Sequence, residues 1–139
     1  MTKKFSFSNF LKWLKSREIF ARPSKMLPGK WQLFEYYVEI GDNLLNIKEP
    51  ELLQQKVSML IDFRNDKTIV IQENLDIMIF KDFVGGGWLR NSNFVTLVNN
   101  EKHERMLAFQ FDASKDQLKL LKKDSKGKIE FFGFFKRVG

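Results

Sequence analysis

Few side chains in this sequence could do acid–base or metal chemistry, and those few are scattered. Cysteine is absent and His103 is the sole histidine, which excludes a disulfide framework, a thiolate metal site, a cysteine nucleophile and a thioether-linked cofactor. A metal would have to be held almost wholly by carboxylates, and no stretch repeats the Asp/Asn/Gly spacing of a calcium loop. His103 lies in the polar run Asn99-Asn100-Glu101-Lys102-His103-Glu104, which reads as a solvated turn. No nucleophile–base pair can be assembled from spacing, so no catalytic residue is assigned and the reading leans away from an enzyme. Gly85-Gly86-Gly87-Trp88 could cradle a phosphate, but neither a Lys-Ser/Thr pair nor a helix follows it. A hairpin or bulge between strands is the expectation there.

Glu35 and Glu39 are more informative, because they interrupt the aromatic and β-branched run from Trp31 to Ile40. Alternate side chains of a strand share a face. If Trp31 points inward, Leu33, Glu35, Tyr37 and Glu39 follow it, and a buried Glu35 needs Arg90, Arg105 or a cationic or pyrrole-like ligand donor beside it. The opposite phase is more apolar and leaves the glutamates in water. On the inward phase the candidate ligand-binding residues are Glu35, Tyr37, Trp88, Arg90 and Arg105.

The elements that must position these residues are mostly strands. Alternation at Val57, Met59, Ile61 and Phe63, the turn residues Arg64-Asn65-Asp66-Lys67, and the run Thr68 to Gln72 make a hairpin. Further strands are expected at Asp76–Lys81, Gly87–Asn91, Phe94–Val98, Arg105–Asp112, Gln117–Lys122 and Lys128–Val138. The stretch from Asn43 to Gln54 is ambiguous, and Pro50 with the acid after it could open a single helical turn. About nine strands with short connections, and no helix long enough for a parallel crossover, indicate an all-β, mostly up-and-down antiparallel meander. Closure into a barrel of eight to nine strands would remove two long hydrophobic edges. At 139 residues there is one core, and 15 Phe, 3 Trp and 2 Tyr must fill or line it.

Ahead of these strands, residues 1–28 read as a basic amphipathic helix and a Pro-containing linker, with the barrel domain at 29–139. Phe7, Phe10, Leu11 and Leu14 recur at helical spacing, Trp13 lies beside them, and Lys12 and Lys15 lie away from the stripe. Seven basic residues against Glu18 alone make the first 25 residues +6, whereas the remaining 17 basic and 16 acidic residues nearly cancel. A nearly neutral barrel is a poor nucleic-acid surface. Lys4, Phe7, Phe10, Lys12, Trp13 and Lys15 are therefore the candidate residues for a partner, such as an acidic protein, or a membrane surface; capping of one barrel mouth is the structural alternative. Polar interruptions at Ser6, Ser8, Asn9, Lys12 and Lys15 break up any signal peptide, and no apolar run nears the ~18 residues of a membrane span. The expected location is cytoplasmic or inside an organelle such as the plastid stroma, without secretion.

The segment Leu27-Pro28-Gly29-Lys30-Trp31-Gln32-Leu33 resembles the first barrel strand of the calycin superfamily, where a Gly-x-Trp motif follows an N-terminal segment. Gly29 and Trp31 are the matching positions. The resemblance implies a lipocalin-like barrel from about Gly29 to Arg137, in which a basic residue of the last strand packs over Trp31. Arg137 is the expected residue, with Lys136 as the alternative, both in Phe134-Phe135-Lys136-Arg137. Among intracellular lipocalin-like proteins the chain is similar to the S-type phycobiliprotein lyases, which hold an open-chain bilin and pass it to an apoprotein. What this implies is a carrier of a hydrophobic small molecule, with an open-chain tetrapyrrole among the candidates and a phycobiliprotein as a partner. The alternatives are a bilin lyase and a non-catalytic interaction protein docking through its basic helix. An interior filled by Phe points to the interaction protein; an open one holding Glu35 and an arginine points to the carrier or the lyase.

Overall fold

The computed structural model describes residues 26–139 apart from 76, 82, 84 and 100–104. Among the described residues the strands are β1 (Gly29–Ile40), β2 (Asn43–Ile47), β3 (Met59–Phe63), β4 (Thr68–Glu73), β5 (Gly85–Asn91), β6 (Phe94–Asn99), β7 (Arg105–Ala113), β8 (Gln117–Lys123) and β9 (Ile129–Arg137), and an α-helix, α1 (Glu49–Gln55), lies between β2 and β3. They form one antiparallel sheet in the order β2-β1-β3-β4-β5-β6-β7-β8-β9, and pairing of β1 with β9 closes it. The first half of β1 pairs with β3 and its second half with β2. The result is an eight-stranded closed barrel with β2 as an extra strand. Closure leaves the long aromatic strands β1 and β9 no free edge to one another.

The alternation that identifies each strand also builds the core. Met59, Ile61 and Phe63 of β3, Ile69 and Ile71 of β4, Val95 and Leu97 of β6, and Leu107, Phe109 and Phe111 of β7 are buried on the inner face. The β3–β4 turn is set by Asp66, whose carboxylate accepts hydrogen bonds from the Thr68 amide at 3.0 Å and hydroxyl at 2.6 Å. These bonds hold the Asp66 carboxyl below its usual pKa range. The ambiguous stretch resolves into β2 and α1. Pro50 stands in the first turn of α1, the Lys48 amide donates to Glu51 Oε1 at 3.1 Å, and Lys56 ends the helix in the left-handed region with φ +57°. α1 directs its one buried residue, Leu52, into the barrel core.

Three expectations need correction. The strand expected at Asp76–Lys81 is not found over the described residues 77–81: Met78–Phe80 form a 3₁₀ turn that drives Phe80 into the core. Their apolar residues suit a strand, but the place beside β4 is taken by β5. The glycines are not a connecting loop but part of β5, where Thr68, Ile69 and Val70 pair with Gly87, Gly86 and Gly85. Close approach explains the composition, since a Cβ on Gly87 would lie 3.3 Å from the Lys67 carbonyl. The meander also breaks once, because α1 carries the chain back so that β3, not β2, adjoins the start of β1.

Candidate functional site

Gly29, at φ +137°, opens β1 in a conformation open to glycine, and a Cβ there would collide with the Arg137 guanidinium. That vacancy lets Arg137 lie over the Trp31 ring, its guanidinium carbon 4.2 Å from the ring centroid. The same guanidinium donates to the backbone carbonyls of Pro28 at 2.9 Å, Lys115 at 2.6 Å and Met26. Trp31 is fully buried, and its indole N–H donates to the Leu27 carbonyl at 2.8 Å. Lys136 points elsewhere, to Glu49 at 2.8 Å. One arginine thus ties the entry to β1, the β7–β8 turn and the end of β9 together at one end of the barrel.

The inward phase expected for Glu35 and Tyr37 stops at a β-bulge. Leu33 pairs with Phe135 and Glu35 with Phe134, so two steps along β1 match one along β9. Beyond Phe34 the faces exchange: Tyr36 packs in the core, stacked on Phe131 at 5.8 Å, while Glu35 and Tyr37 lie on the outer side with Phe134 and Phe132. Glu35 accepts from Asn46 Nδ2 of β2 at 3.0 Å. Burial of Tyr37, then the charge and hydrogen bond of Glu35, push the phenol up to about 12. Glu39 accepts from the Ile129 amide at 3.0 Å. Of the expected cluster, Glu35, Tyr37, Trp88 and Arg90 therefore do not converge on one site. Trp88 is buried inside, with its N–H on the Arg64 carbonyl at 2.9 Å and Lys67 Nζ 4.1 Å above its ring. Arg90 is exposed, and only the backbone of Arg105, at the start of β7, is described. Lys4, Phe7, Phe10, Lys12, Trp13 and Lys15, like His103, lie outside the described residues.

What occupies the middle of the barrel is a set of side chains from the β4–β5 connection. Leu75, Phe80 and Phe83 are buried there without belonging to any strand. Phe80 stacks on Phe109 at 6.0 Å and meets Phe131 edge-on at 5.0 Å. The amides of Phe80, Lys81 and Phe83 donate to carbonyls three residues earlier, so these bonds are local to the insert. The connection is anchored at Asn74, whose side chain bonds the Ser58 amide at 2.7 Å and the Lys56 carbonyl at 2.9 Å. Asn99 is the one buried polar residue among those described, and no buried side-chain polar atom among them lacks a partner. No group of acids and histidines suited to a metal occurs among them either, and no helix there is long and apolar enough to cross a membrane. Sequence reasoning missed Phe80 because it fell within the strand expected at Asp76–Lys81, and Phe83 because it lay between that strand and the one expected at Gly87–Asn91.

On the outside, Phe94, Met106, Ala108, Gln110, Leu121 and the lysines 122 and 123 line an open groove of about 500 Å³ across β6, β7 and β8.

No known family's sequence profile matches the chain, and no curated protein matches it. Among solved structures it is similar in fold to a lipocalin-like protein from Bacteroides uniformis, at 17% identity over 81% of this chain and 98% of that one, with a TM-score of 0.50.

Proposed function

We propose that the protein is a lipocalin-like binding protein that takes a hydrophobic small molecule into its barrel in place of the aromatic side chains inserted by the β4–β5 connection. The observation that carries this reading is the origin of the filling. Phe80 packs against both Phe109 and Phe131, which also meet each other edge-on at 6.4 Å, yet it comes from a connection and not from the barrel wall. Withdrawing it breaks no strand pairing, whereas withdrawing Phe109 or Phe131 would. An eight-stranded barrel encloses room for one small ligand once such a filler is gone.

The chemistry of the interior selects the ligand class. Trp31 and Trp88 already donate to carbonyls, Glu35 and Arg90 lie away from the core, and the walls are aliphatic and aromatic. A neutral, largely hydrocarbon molecule fits such walls. An open-chain tetrapyrrole does not, because its several propionate and pyrrole N–H groups would be buried where Asn99 is the one buried polar side chain among those described. The bilin-carrier and bilin-lyase readings find no support in these residues.

The filled interior favours a second reading, a non-catalytic interaction protein whose barrel is only a scaffold. Titration with the neutral fluorophore N-phenyl-1-naphthylamine separates the two. The binding reading expects saturation at one molecule per chain, with amide signals of Ile77–Phe83 shifting as the dye enters. Absence of saturable binding in both the native chain and Phe80→Ala overturns it and leaves the scaffold reading.

A further inference from the structure

We propose that two copies of the chain join edge to edge through β2, antiparallel about a two-fold axis at Leu45, so that the sheet continues from one barrel into the other. β2 ends the strand order: it pairs with β1 on one side and with no described strand on the other. The hairpin turn Gly41-Asp42 holds two residues, which makes Ile40 and Asn43 a hydrogen-bonded pair. Along β2 the backbone groups of Asn43, Leu45 and Ile47 therefore face β1, and those of Leu44 and Asn46 face away. Among the described residues nothing else meets the amides and carbonyls of Leu44 and Asn46. α1 does not cover them, since it sends Leu52 into the core and pairs Glu49 with Lys136 of β9.

A free edge is ordinarily guarded by a lysine, a proline, a bulge or an inward charge. Asn43-Leu44-Leu45-Asn46-Ile47 has none of these: it is uncharged, and its register with β1 is unbroken. Its hydrophobic side chains are also open, with Leu45 42% exposed and Ile40, at the end of β1, 59% exposed. The flanking charges select a second copy as the occupant. With Leu45 opposite its counterpart, Leu44 of each copy faces Asn46 of the other, and their outward amides and carbonyls exchange hydrogen bonds. The same register sets Asp42 opposite Lys48 at both ends, because the segment from Asp42 to Lys48 is centred on Leu45. Lys48 keeps the extended backbone, at φ −99° and ψ 168°, and neither it nor Asp42 has an ion pair among the described residues. Opposite charges facing across antiparallel strands favour pairing, and like charges oppose it. A shift of two residues either way sets Asp42 opposite Asn46 or Pro50 and loses both ion pairs. An isologous contact of this kind uses up both edges, so it closes as a dimer and does not propagate.

The test is sedimentation equilibrium of the full chain over a concentration series, with amide hydrogen exchange read at its two extremes. A monomer–dimer equilibrium is expected, in which the amides of Leu44 and Asn46 exchange about tenfold or more slowly where the dimer prevails. Leu45→Lys, at an exposed position, brings like charges together at the axis and should abolish the dimer. Asp42→Lys and Lys48→Asp should each weaken association, and the two combined in one chain should restore it, which a loss of folding would not do. Three outcomes overturn the proposal. One is a chain that stays monomeric throughout with Leu44 and Asn46 exchanging freely. Another is a monomer whose Leu44 and Asn46 are protected at every dilution, which makes another part of the same chain the occupant. The third is a dimer that survives Leu45→Lys or is not restored by the charge exchange.

Discussion

Replacing Arg137 by Met keeps the length of the side chain and removes its charge and its hydrogen-bonding fork. The guanidinium donates to three backbone carbonyls and covers the Trp31 ring at 4.2 Å. A hydrogen bond involving a charged group contributes about 1.5–3 kcal/mol and a cation–π contact about 0.5–2. The carbonyls of Met26 and Lys115 lie near the surface, where water can replace the arginine, so the full sum is not expected. The Pro28 bond and the ring contact are the protected part, which sets the loss at about 2–5 kcal/mol. With a urea m-value of about 2 kcal/mol per molar, the middle of the range for a small protein, the midpoint should fall by about 1–2.5 M with the slope unchanged. Arg137→Lys should recover less than half of this, because an ammonium cannot serve three divergent carbonyls and lie flat on the ring. Near-ultraviolet dichroism should report altered packing of Trp31 in both variants. A lysine variant as stable as the native protein, or a methionine variant within about 0.5 kcal/mol of it, would refute the arginine clasp.

Further outcomes follow from the same geometry. Phe80→Ala should cost about 3 kcal/mol or less, below the usual range for a fully buried ring, because the insert can partly collapse; hydrophobic-dye affinity should rise, as read by titration beside chemical denaturation. Gly29→Ala should destabilise by more than about 1 kcal/mol, through the positive φ and the collision with Arg137, and pairing it with Arg137→Met should be markedly non-additive in a double-mutant cycle. Tyr37, pushed up to about 12 from 10.0, contributes stability that is present below pH 10 and is lost as the pH rises through 12, because the folded state favours the protonated phenol. Glu35→Gln should lower the alkaline tyrosinate transition without returning it to 10.0, since burial is the larger cause; an unchanged transition would remove Glu35 from the account.

The strands were legible where buried apolar residues fell at every second position, as at Met59, Ile61 and Phe63 and at Val95 and Leu97. Gly29, Trp31 and Arg137 could be related through a family resemblance, which supplied a contact between residues more than a hundred positions apart. The bulge at Phe34 was not legible: an extra aromatic residue within an already aromatic strand leaves no mark in the alternation, yet it reverses the face of Glu35 and Tyr37. The filler was hidden for a related reason. Ile77-Met78-Ile79-Phe80 is apolar enough for a strand, and only the pairing of β4 with the glycines of β5 shows that no place remains for one. Local pattern thus reached the walls of the barrel, while its contents depended on pairings distant in sequence.

On the proposed function, a hydrophobic molecule enters the interior in place of Phe80 and its neighbours. Native mass spectrometry of the intact protein purified from its own cells tests this most directly. One neutral, largely hydrocarbon molecule should be retained per chain and released by the denaturant concentration that unfolds the barrel. A chain recovered without any small molecule, but in stoichiometric complex with another protein, would contradict it.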